Sequence, residues 1–411
     1  MREQERVAVI GAGVIGAAVS LALAREGRSV VLVDRAAPGE GGASFGNAGH
    51  IAVELVEPLP SPSLLFGFWR DLFPRGVLDI PAKRLGAFAP WALRFARAAY
   101  RRAENTRHLA PFVRPGVGAL AQLLADAGRP ELLRQHGHYE VWLGGDGDTH
   151  AAAQAAAMTA LEVPTQPAPR ELVDAVRAAA RAGRAAGLWY PKCAHVVDPL
   201  EVVRAFVSAA TARGARVERR EVRSIQVTSA GYEVVTDGDP VVAGTVILCL
   251  GAWSAPLLRP FGLRAPLEAA RGYHVRMSDA RALVDAPIVY ADEKILVTPM
   301  AGHVRATSFM EFAGTDAPAD PRKPAWLRDR VRTLGYACDD AAPSWVGPRP
   351  VLPDYLPAIG RVNGAPDLLY SFAHQHIGLT LSGVNALAMA DLVAGRARPD
   401  LDAFDLRRFG T

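Results

Sequence analysis

The sequence predicts an α/β fold in two parts: a Rossmann-like unit and a second, mostly antiparallel α+β unit. Three observations predict it. An apolar run at 7–10 leads into the segment GAGVIG at 11–16, an uncharged helical stretch and the strand-like run Ser29–Asp34. Between 271 and 308, four alternating runs are separated by turns, as antiparallel strands are. The 411 residues suffice for two domains with separate cores.

The glycine-rich segment is typical of a dinucleotide site. Gly11 permits a tight turn, Gly13 lets the backbone approach a pyrophosphate, and Gly16 lets helix and strand pack closely. The helix N-terminus offers N–H groups and a positive dipole end to phosphates. Asp34 follows Gly16 by 18 residues, where an acid bonds a ribose hydroxyl. The alternative, a membrane anchor over 7–24, fits poorly with three glycines at this spacing.

Composition narrows the function classes. The net charge is +4 and the pI about 9.1, yet only four of the 46 cationic residues are lysine. That preference for Arg reflects genome composition, and no basic run interleaved with aromatics indicates nucleic acid. Cys193, Cys249 and Cys338 are odd in number and lack metal-like spacing, so we predict a reducing compartment and no metal site. The expected location is the cytoplasm, or the inner face of the membrane.

A loop rich in small residues follows Asp34. It contains Ser44, Gly46, Asn47 and Gly49, and its backbone can lie close against a flat or charged ligand. A flexible surface loop is the alternative. Its place directly after a nucleotide-binding βαβ unit favours contact with the rest of the cofactor.

Residues 58–125 carry aromatic clusters and arginine-rich helical stretches. A helical insertion packing on the second domain is the favoured interpretation. The alternative is a membrane-surface or partner-docking face, with aromatics on one side and Arg on the other.

The remaining elements follow from periodicity. We predict strands at 138–143, 222–227, 232–236, 245–250 and 368–372, and helices at 149–161, 198–211 and 381–394. The strand at 245–250 enters a second glycine turn at Gly251, which suits the back of the same nucleotide site. Prolines between 344 and 354 predict a rigid, pinned segment.

Four motifs in this order make the chain similar to the D-amino-acid oxidase superfamily of FAD-dependent oxidoreductases, and within it to bacterial D-amino-acid dehydrogenase small subunits. They are GAGVIG at 11–16, GASFGNAG at 42–49, LGAWS at 250–254, and WVGPRP at 345–350 followed by Pro353 and Asp354. The segments NAGHIA at 47–52 and HQHIGLT at 374–380 resemble the branch acting on D-hydroxyproline. His50 replaces a glutamine usual in broad D-amino-acid dehydrogenases, and the turn near His374 differs from their Gly-His-Gly-like turn.

The resemblance implies an FAD-binding domain assembled from 1–60, 146–261 and 345–411, and a substrate domain from 61–145 and 262–344. It implies FAD-dependent oxidation of a D-amino acid by hydride transfer from the α carbon, with D-hydroxyproline or another cyclic D-amino acid favoured. The predicted cofactor residues are Gly11, Gly13, Gly16, Asp34, Arg35, Ser44, Gly46, Asn47, Gly49, Val222, Gly251, Trp253, Gly378, Leu379 and Thr380.

Several alternatives stay open. Broad D-amino-acid dehydrogenases and glycine/sarcosine-type amine oxidases share the resemblance, and a non-catalytic flavin-fold subunit is a remote alternative. An NAD-dependent dehydrogenase would share the first glycine motif, but it would not need the 44–49 loop or the turn at Gly251. The resemblance favours a dehydrogenase over an oxidase, and the electron acceptor stays open, with a quinone or a partner redox subunit as candidates beside oxygen. Peripheral membrane or heteromeric association is an expectation.

Arg349 is the candidate for binding the substrate carboxylate, because its place between Pro348 and Pro350 matches the family's carboxylate-binding arginine. Tyr273 is a candidate wall of the substrate pocket, or alternatively a core residue. His50, His374 and His376 are candidates to accept the amine proton, or alternatively structural residues. On an extended segment His374 and His376 would face opposite ways, so at most one should reach the flavin.

Overall fold

A computed structural model describes residues 5–410 and confirms the α/β class. Its first sheet has six strands, parallel except for the last, which runs antiparallel at the edge. In spatial order they are β10 (Arg216–Arg219), β2 (Ser29–Asp34), β1 (Arg6–Ile10), β14 (Thr245–Leu248), β21 (Ala365–Phe372) and β20 (Ala358–Val362).

Both faces of this sheet are covered, as its strands predict. Val7 and Val9 of β1 pack into a helical layer, whereas Ala8 and Ile10 face the other way. The helical layer contains α1 (Val14–Arg25), α4 (Arg102–Val113), α5 (Gly116–Asp126), α8 (Pro199–Thr211) and α11 (Gly378–Val393). The opposite face is covered by an antiparallel sheet of β11 (Val222–Thr228), β12 (Gly231–Thr236) and β13 (Val241–Ala243).

The second unit is a nine-stranded sheet, mostly antiparallel, as the alternating runs predict. Its strands are β19 (Ser344–Val351), β15 (Glu268–Met277), β18 (His303–Glu311), β17 (Ile295–Met300), β16 (Ile288–Tyr290), β6 (His138–Leu143), β8 (Ala185–Tyr190) and β7 (Gln166–Pro167), with β4 (Leu78–Asp79) beside β18. The pairs β16–β6 and β18–β4 are parallel. The helices that border it are α6 (Gly147–Ala160), α7 (Arg170–Ala179) and α10 (Arg322–Thr333).

A small antiparallel sheet lies near the cofactor loop. It consists of β3 (His50–Ile51), β9 (Ala194–Val196) and β5 (Leu133–Arg134). His50 is directly opposite His195 across β3 and β9, so both side chains lie on one face of this sheet.

The predicted helical insertion divides between the two units. α3 (Leu85–Ala99) buries Phe88 and Trp91 against Phe312, beside the nine-stranded sheet. α4 and α5 instead pack in the core of the six-stranded sheet, because both contact α11 and α5 also contacts α8. Two short helices complete the chain, α2 (Pro62–Gly67) and α9 (Ala255–Leu258).

Two stretches differ from the sequence-based expectation. The proline-pinned segment is strand β19, which tolerates Pro348 and Pro350 because it is the edge of its sheet. β7 and β8 lie in the nine-stranded sheet because β8 pairs with β6, although the resemblance implies that 146–261 belongs to the FAD-binding domain. β19, from 345–411, also lies in that sheet, whereas α4 and α5, from 61–145, pack on the six-stranded sheet. The rest of the division into domains stays a prediction.

The uncharged stretch weighed as an anchor is split between β1 and α1. Within residues 5–410, no helix is both long and apolar enough to span a bilayer.

Candidate active site

A cavity of about 910 Å³ lies where the parallel strands of the first sheet end and the nine-stranded sheet begins. Ile10, Asp34 and Phe372 line it from the carboxyl ends of β1, β2 and β21, and Tyr273 and Phe309 line it from β15 and β18. Parallel α/β sheets bind ligands at this edge. The volume is at the upper end of the range of about 300–1,000 Å³ that is usual for cofactor sites.

The glycine turn has the geometry that its sequence predicts. Gly11 has φ +105°, and a Cβ there would overlap the carbonyl oxygen of Cys249. A Cβ on Gly16 would overlap the carbonyl oxygen of Gly11, so this glycine lets helix α1 pack on the turn. Gly13 is the N-cap of α1 and lines the cavity, as a backbone approached by a phosphate should.

Asp34 holds this turn to its own strand. Its Oδ2 accepts a hydrogen bond from the Ala12 N–H at 2.7 Å, and its Oδ1 accepts one from the Ala36 N–H at 2.9 Å. Next to it, the Arg35 guanidinium lies 4.7 Å from the ring centre of Trp253, over the indole. All three side chains named as cofactor candidates here line the cavity.

The structure brings most of the predicted cofactor residues together around this cavity. Those lining it are Gly11, Gly13, Asp34, Arg35, Ser44, Gly46, Asn47, Val222, Gly251, Trp253, Gly378 and Leu379. Ser44 also accepts a hydrogen bond from the Val14 N–H at 2.9 Å, at the start of α1.

Three predicted cofactor residues have other contacts. Gly16 packs under the turn, and the Gly49 N–H donates to Asn47 Oδ1 at 2.8 Å. The Thr380 hydroxyl is fully buried and accepts a hydrogen bond from the Ala52 N–H at 2.9 Å. The Thr380 side chain therefore ties α11 to the segment after β3, and the assignment of Thr380 to the cofactor stays a prediction.

Arg349 is a cavity-lining cation without an acidic partner. Its Nη1 donates to the Phe309 carbonyl oxygen at 2.9 Å, and no carboxylate in residues 5–410 lies within ion-pair distance of it. Burial lowers the pKa of Arg349 from its ordinary value, so the charge is held in a poorly solvated place. Gly272 lies directly beneath the guanidinium, and a Cβ there would overlap it.

The Tyr273 hydroxyl is already engaged. It donates to Glu311 Oε2 at 2.9 Å and accepts from the Asp320 N–H at 3.1 Å. Lys323 Nζ lies 2.6 Å from both Glu311 Oε1 and Asp79 Oδ2. Tyr273 therefore contributes the wall that sequence reasoning predicts, but its hydroxyl belongs to this buried ionic network.

His374 and His376 both line the cavity, although on an extended segment they would point in opposite directions; that at most one of them reaches the flavin stays a prediction. The segment is a turn, because Ala373 and Gln375 have left-handed φ values of 57° and 52°. Burial lowers the pKa of His374 to about 4, and its Nε2 lies 3.2 Å from Asn385 Oδ1. Enclosure within the cavity lowers the pKa of His376 to about 4, and the charge of Arg349 adds to this effect.

His50 lines the cavity but has close polar neighbours behind it. Its Nε2 lies 3.1 Å from His138 Nδ1 and 3.8 Å from Glu54 Oε1. Burial, followed by the charges of His195 and His376, lowers the pKa of His50 to about 3. His50 is therefore neutral near pH 7 and shares a buried cluster.

Sequence reasoning missed two contributors. Gly272 makes room for Arg349, and only its place in the sequence Arg-Gly-Tyr at 271–273 hinted at a role. Trp345 lines the cavity with its indole between Gly46 and Gly347, and a Cβ on either glycine would overlap the ring. The spacing of Trp345 and Gly347 on one strand was the available signal.

These residues fit FAD. The glycine turn and the start of α1 suit a pyrophosphate, and Asp34 lies at the strand end where a ribose binds. The cavity continues from there to Arg349, His374 and His376, which leaves a polar end for a substrate beside the flavin.

Comparison with known proteins gives the same result. The family described as "FAD dependent oxidoreductase" (DAO) matches residues 6–392. A D-amino acid dehydrogenase from Paramagnetospirillum magneticum is 31% identical, covering 98% of this chain and 99% of the relative. A D-amino-acid oxidase from Bradyrhizobium diazoefficiens is 28% identical, covering 96% of each chain.

Solved structures share the fold. Glycine oxidase from Geobacillus kaustophilus superposes with a TM-score of 0.71 at 22% identity, covering 98% of this chain and 99% of that one. L-proline dehydrogenase from P. horikoshii gives a TM-score of 0.72 at 16% identity, covering 100% and 98%. From the fold, the cavity and the match over 6–392, we conclude that the chain belongs to the DAO family of FAD-dependent oxidoreductases.

Proposed function

We propose that this enzyme oxidises a small D-amino acid whose carboxylate binds Arg349. The observation that carries the proposal is the cavity-lining guanidinium, which has no acidic partner in residues 5–410. A cation in a poorly solvated site is stabilised by an anionic ligand, and a guanidinium binds both oxygens of a carboxylate. The names of the curated relatives support a D-amino acid as the substrate class.

The chain's own residues supply position and proton handling. When bound, FAD accepts the hydride that leaves the α carbon. Arg349 holds the substrate carboxylate, and this fixes where the α carbon lies in the cavity. His376 lies beside Arg349 and is neutral near pH 7, so its imidazole can accept a hydrogen bond from the substrate amine, although its lowered pKa makes it a weak base.

A cyclic substrate such as D-hydroxyproline is the favoured one within this class. The cavity lining includes the apolar side chains of Phe309, whose carbonyl oxygen Arg349 contacts, Met310 and Leu59. A ring packs against such a wall with little loss of rotational freedom. Broad D-amino-acid oxidation and glycine or sarcosine oxidation are the alternatives, and a comparison of D-hydroxyproline, D-alanine and glycine under air and with an artificial acceptor separates them.

The decisive experiment replaces Arg349 with lysine. Arg349→Lys keeps the charge but loses the two-pronged contact, so kcat/KM should fall by about thirty- to a thousand-fold, equivalent to about 2–4 kcal/mol. Flavin content should stay at the level of the unmodified enzyme. Arg170→Lys, at a side chain that is 91% exposed, is the matched control. Full activity in Arg349→Lys would move the carboxylate site elsewhere.

For the electron acceptor, we favour a membrane quinone over a partner redox subunit. Large apolar side chains are concentrated on the aromatic face, defined as Phe66, Phe68, Trp69, Leu85 and Leu93, which are 43–77% exposed. Exposed basic residues lie in the same stretch, namely Arg70, Arg75, Lys83, Arg94 and Arg97. Aromatic and basic side chains together suit an anionic membrane surface, which would place the enzyme at the inner face of the membrane.

A further inference from the structure

Four metal-ligating side chains converge beside the flavin cavity: His50, Glu54, His138 and Cys193, called here the four-donor cluster. One donor atom from each lies within 4.8 Å of those of the others. His50 comes from β3, Glu54 from the segment that follows β3, His138 from the start of β6, and Cys193 from the connection between β8 and β9. Their spread over more than 140 residues explains why sequence spacing predicted no metal site.

The distances are close to those of a tetrahedral site. His50 Nε2 and His138 Nδ1 are 3.1 Å apart, and each lies 3.8 Å from Glu54 Oε1. The Cys193 thiol donates to Glu54 Oε2 at 2.9 Å. With Zn–N near 2.0–2.1 Å and Zn–S near 2.3 Å, donors on one tetrahedral zinc are about 3.3–3.6 Å apart. The histidine and Glu54 donors would need to move by a few tenths of an ångström, and Cys193 Sγ already lies within 4.8 Å of both imidazole donors.

A second group of possible metal ligands, made of three carboxylates, is already occupied by a lysine. Asp79, Glu311 and Asp320 also bring three possible ligands together, but the Lys323 ammonium lies among them at 2.6–3.2 Å. The four-donor cluster contains no such cation. In the described part of the chain, Glu54 has only the two histidines as ion-pair neighbours.

We propose that the four-donor cluster binds one Zn²⁺ ion. Two imidazoles, a thiolate and a carboxylate are ligand types that select zinc in tetrahedral sites. The thiolate and the carboxylate cancel the charge of the ion, so the filled site is neutral in a region where all four side chains are almost completely enclosed. This inference is independent of which amino acid the enzyme oxidises.

The surroundings of the cluster support a built site. The Tyr190 ring stacks on His138 at 4.3 Å, and the Tyr190 hydroxyl donates to Glu140 at 2.6 Å, which fixes the orientation of the imidazole. A second cavity of about 730 Å³, lined by Glu54 and Cys193, gives an ion a route to them. Bound zinc would fasten the cofactor loop to the nine-stranded sheet.

The test loads the purified holoenzyme with Zn²⁺, dialyses it and measures metal per chain by mass spectrometry. We expect about one zinc per chain in the unmodified enzyme. In both Cys193→Ser and His138→Gln, the zinc content per chain should be at least tenfold lower. Cys338→Ser is the matched control, because Cys338 is a free and partly exposed cysteine far from the cluster in sequence. X-ray absorption of the loaded enzyme should show one sulfur ligand at about 2.3 Å.

Chelation provides a readout that does not need a folded variant. A strong chelator should remove the zinc from the unmodified holoenzyme and lower its Tm, while FAD content measured before heating stays the same. The proposal would be overturned if the zinc content of both the unmodified enzyme and the Cys338→Ser control stayed at background. Full zinc content in both cluster variants, or a metal spectrum without sulfur, would overturn it as well.

Discussion

At the residue scale, Gly272 makes room for the Arg349 guanidinium, the group that we propose binds the substrate carboxylate. The guanidinium lies over Gly272 on the neighbouring strand β15, where any Cβ would overlap it. Gly272→Ala should therefore displace Arg349 and lower kcat/KM about ten- to a hundredfold, mainly through KM. Steady-state kinetics with a carboxylated substrate measures the effect.

The matched control is Gly86→Ala, because a Cβ at Gly86 would meet nothing within 4 Å. Flavin content should be equal in both variants, since Gly272 touches Arg349 rather than the glycine turn. If Gly272→Ala kept its KM, the guanidinium would have to reach the substrate from another position.

A second residue-scale prediction concerns His274, whose Nδ1–H donates a hydrogen bond to the Gly46 carbonyl oxygen at 3.1 Å. Burial, followed by the charge of Arg305, lowers the pKa of His274 from 6.5 to about 3. Between these values the unfolded chain binds a proton and the folded chain does not. Stability linked to His274 is therefore present above pH 6.5 and is lost as the pH falls toward 3.

His274→Gln cannot titrate but keeps an N–H donor for Gly46. The unmodified enzyme should lose roughly 1.4 kcal/mol of unfolding free energy per pH unit below 6.5, whereas the variant should not. The difference in unfolding free energy between the two proteins should therefore shrink by about 2 kcal/mol between pH 7 and pH 5. Urea unfolding of both proteins at the two pH values measures this. A difference that stays constant would mean that His274 is protonated in the folded enzyme.

Individual side chains were predictable from the sequence only where a motif fixes the backbone. Gly11, Gly16 and Asp34 follow from the turn, and Arg349 follows from its place between prolines. The hydroxyl of Tyr273 was not predictable, because Glu311 and Asp320 reach it from distant segments. The same holds for Glu54 and Cys193, which tertiary packing alone brings together.

At the element scale, two glycines of the turn between β1 and α1 have different roles: Gly13 faces the cofactor cavity, and Gly16 is needed for the turn to fold. A side chain on Gly13 would point at the cavity, with its Cβ 3.2 Å from Ser44 Oγ, whereas one on Gly16 would overlap the backbone of Gly11. Gly13→Val should therefore give folded protein with less than about a tenth of the normal FAD, because its side chain occupies the pyrophosphate's space.

Gly16→Ala should instead fail to accumulate as folded protein, since the backbone carbonyl of Gly11 cannot move without opening the turn. Circular dichroism and flavin absorbance of the two variants distinguish these outcomes. Normal FAD in Gly13→Val would argue against pyrophosphate binding at this turn. Denaturation of the unmodified enzyme should release its FAD, which we predict to be bound non-covalently.

Element types were predictable because periodicity reports burial. The alternating runs became β15–β18, and the apolar run at the N-terminus became β1, buried on both faces. β19 was not recognised as a strand, since prolines are tolerated there only because it is an edge, and edge position is a property of the assembled sheet. The place of β7 and β8 in the nine-stranded sheet was not predictable for a similar reason. It depends on the pairing of β8 with β6, which local sequence does not indicate.

At the scale of the whole molecule, the insertion between β3 and β6 has two kinds of surface. Phe88 and Trp91 face inward and pack against Phe312, as the core interpretation predicts. Phe66 and Trp69 are 77% and 55% exposed, as the docking interpretation predicts. Sequence periodicity could not separate the two, because aromatic residues serve both.

The last prediction is that the aromatic face binds anionic membranes. Its acidic residues are already paired, Asp71 with Lys294 and Asp79 with Lys323, so the exposed arginines there carry an uncompensated positive charge. The double variant Phe66→Ser/Trp69→Ser should bind vesicles containing phosphatidylglycerol at least fivefold less than the unmodified enzyme in a sedimentation assay, because it loses the apolar area that enters the interface.

Val227→Ser is the matched control, since Val227 is 65% exposed on a different sheet. Binding should weaken with added salt and be much lower on vesicles of phosphatidylcholine alone, because the basic side chains act through the lipid charge. Equal sedimentation of the double variant and the control would show that this face does not meet the membrane, and the proposal of a membrane quinone as acceptor would lose its support.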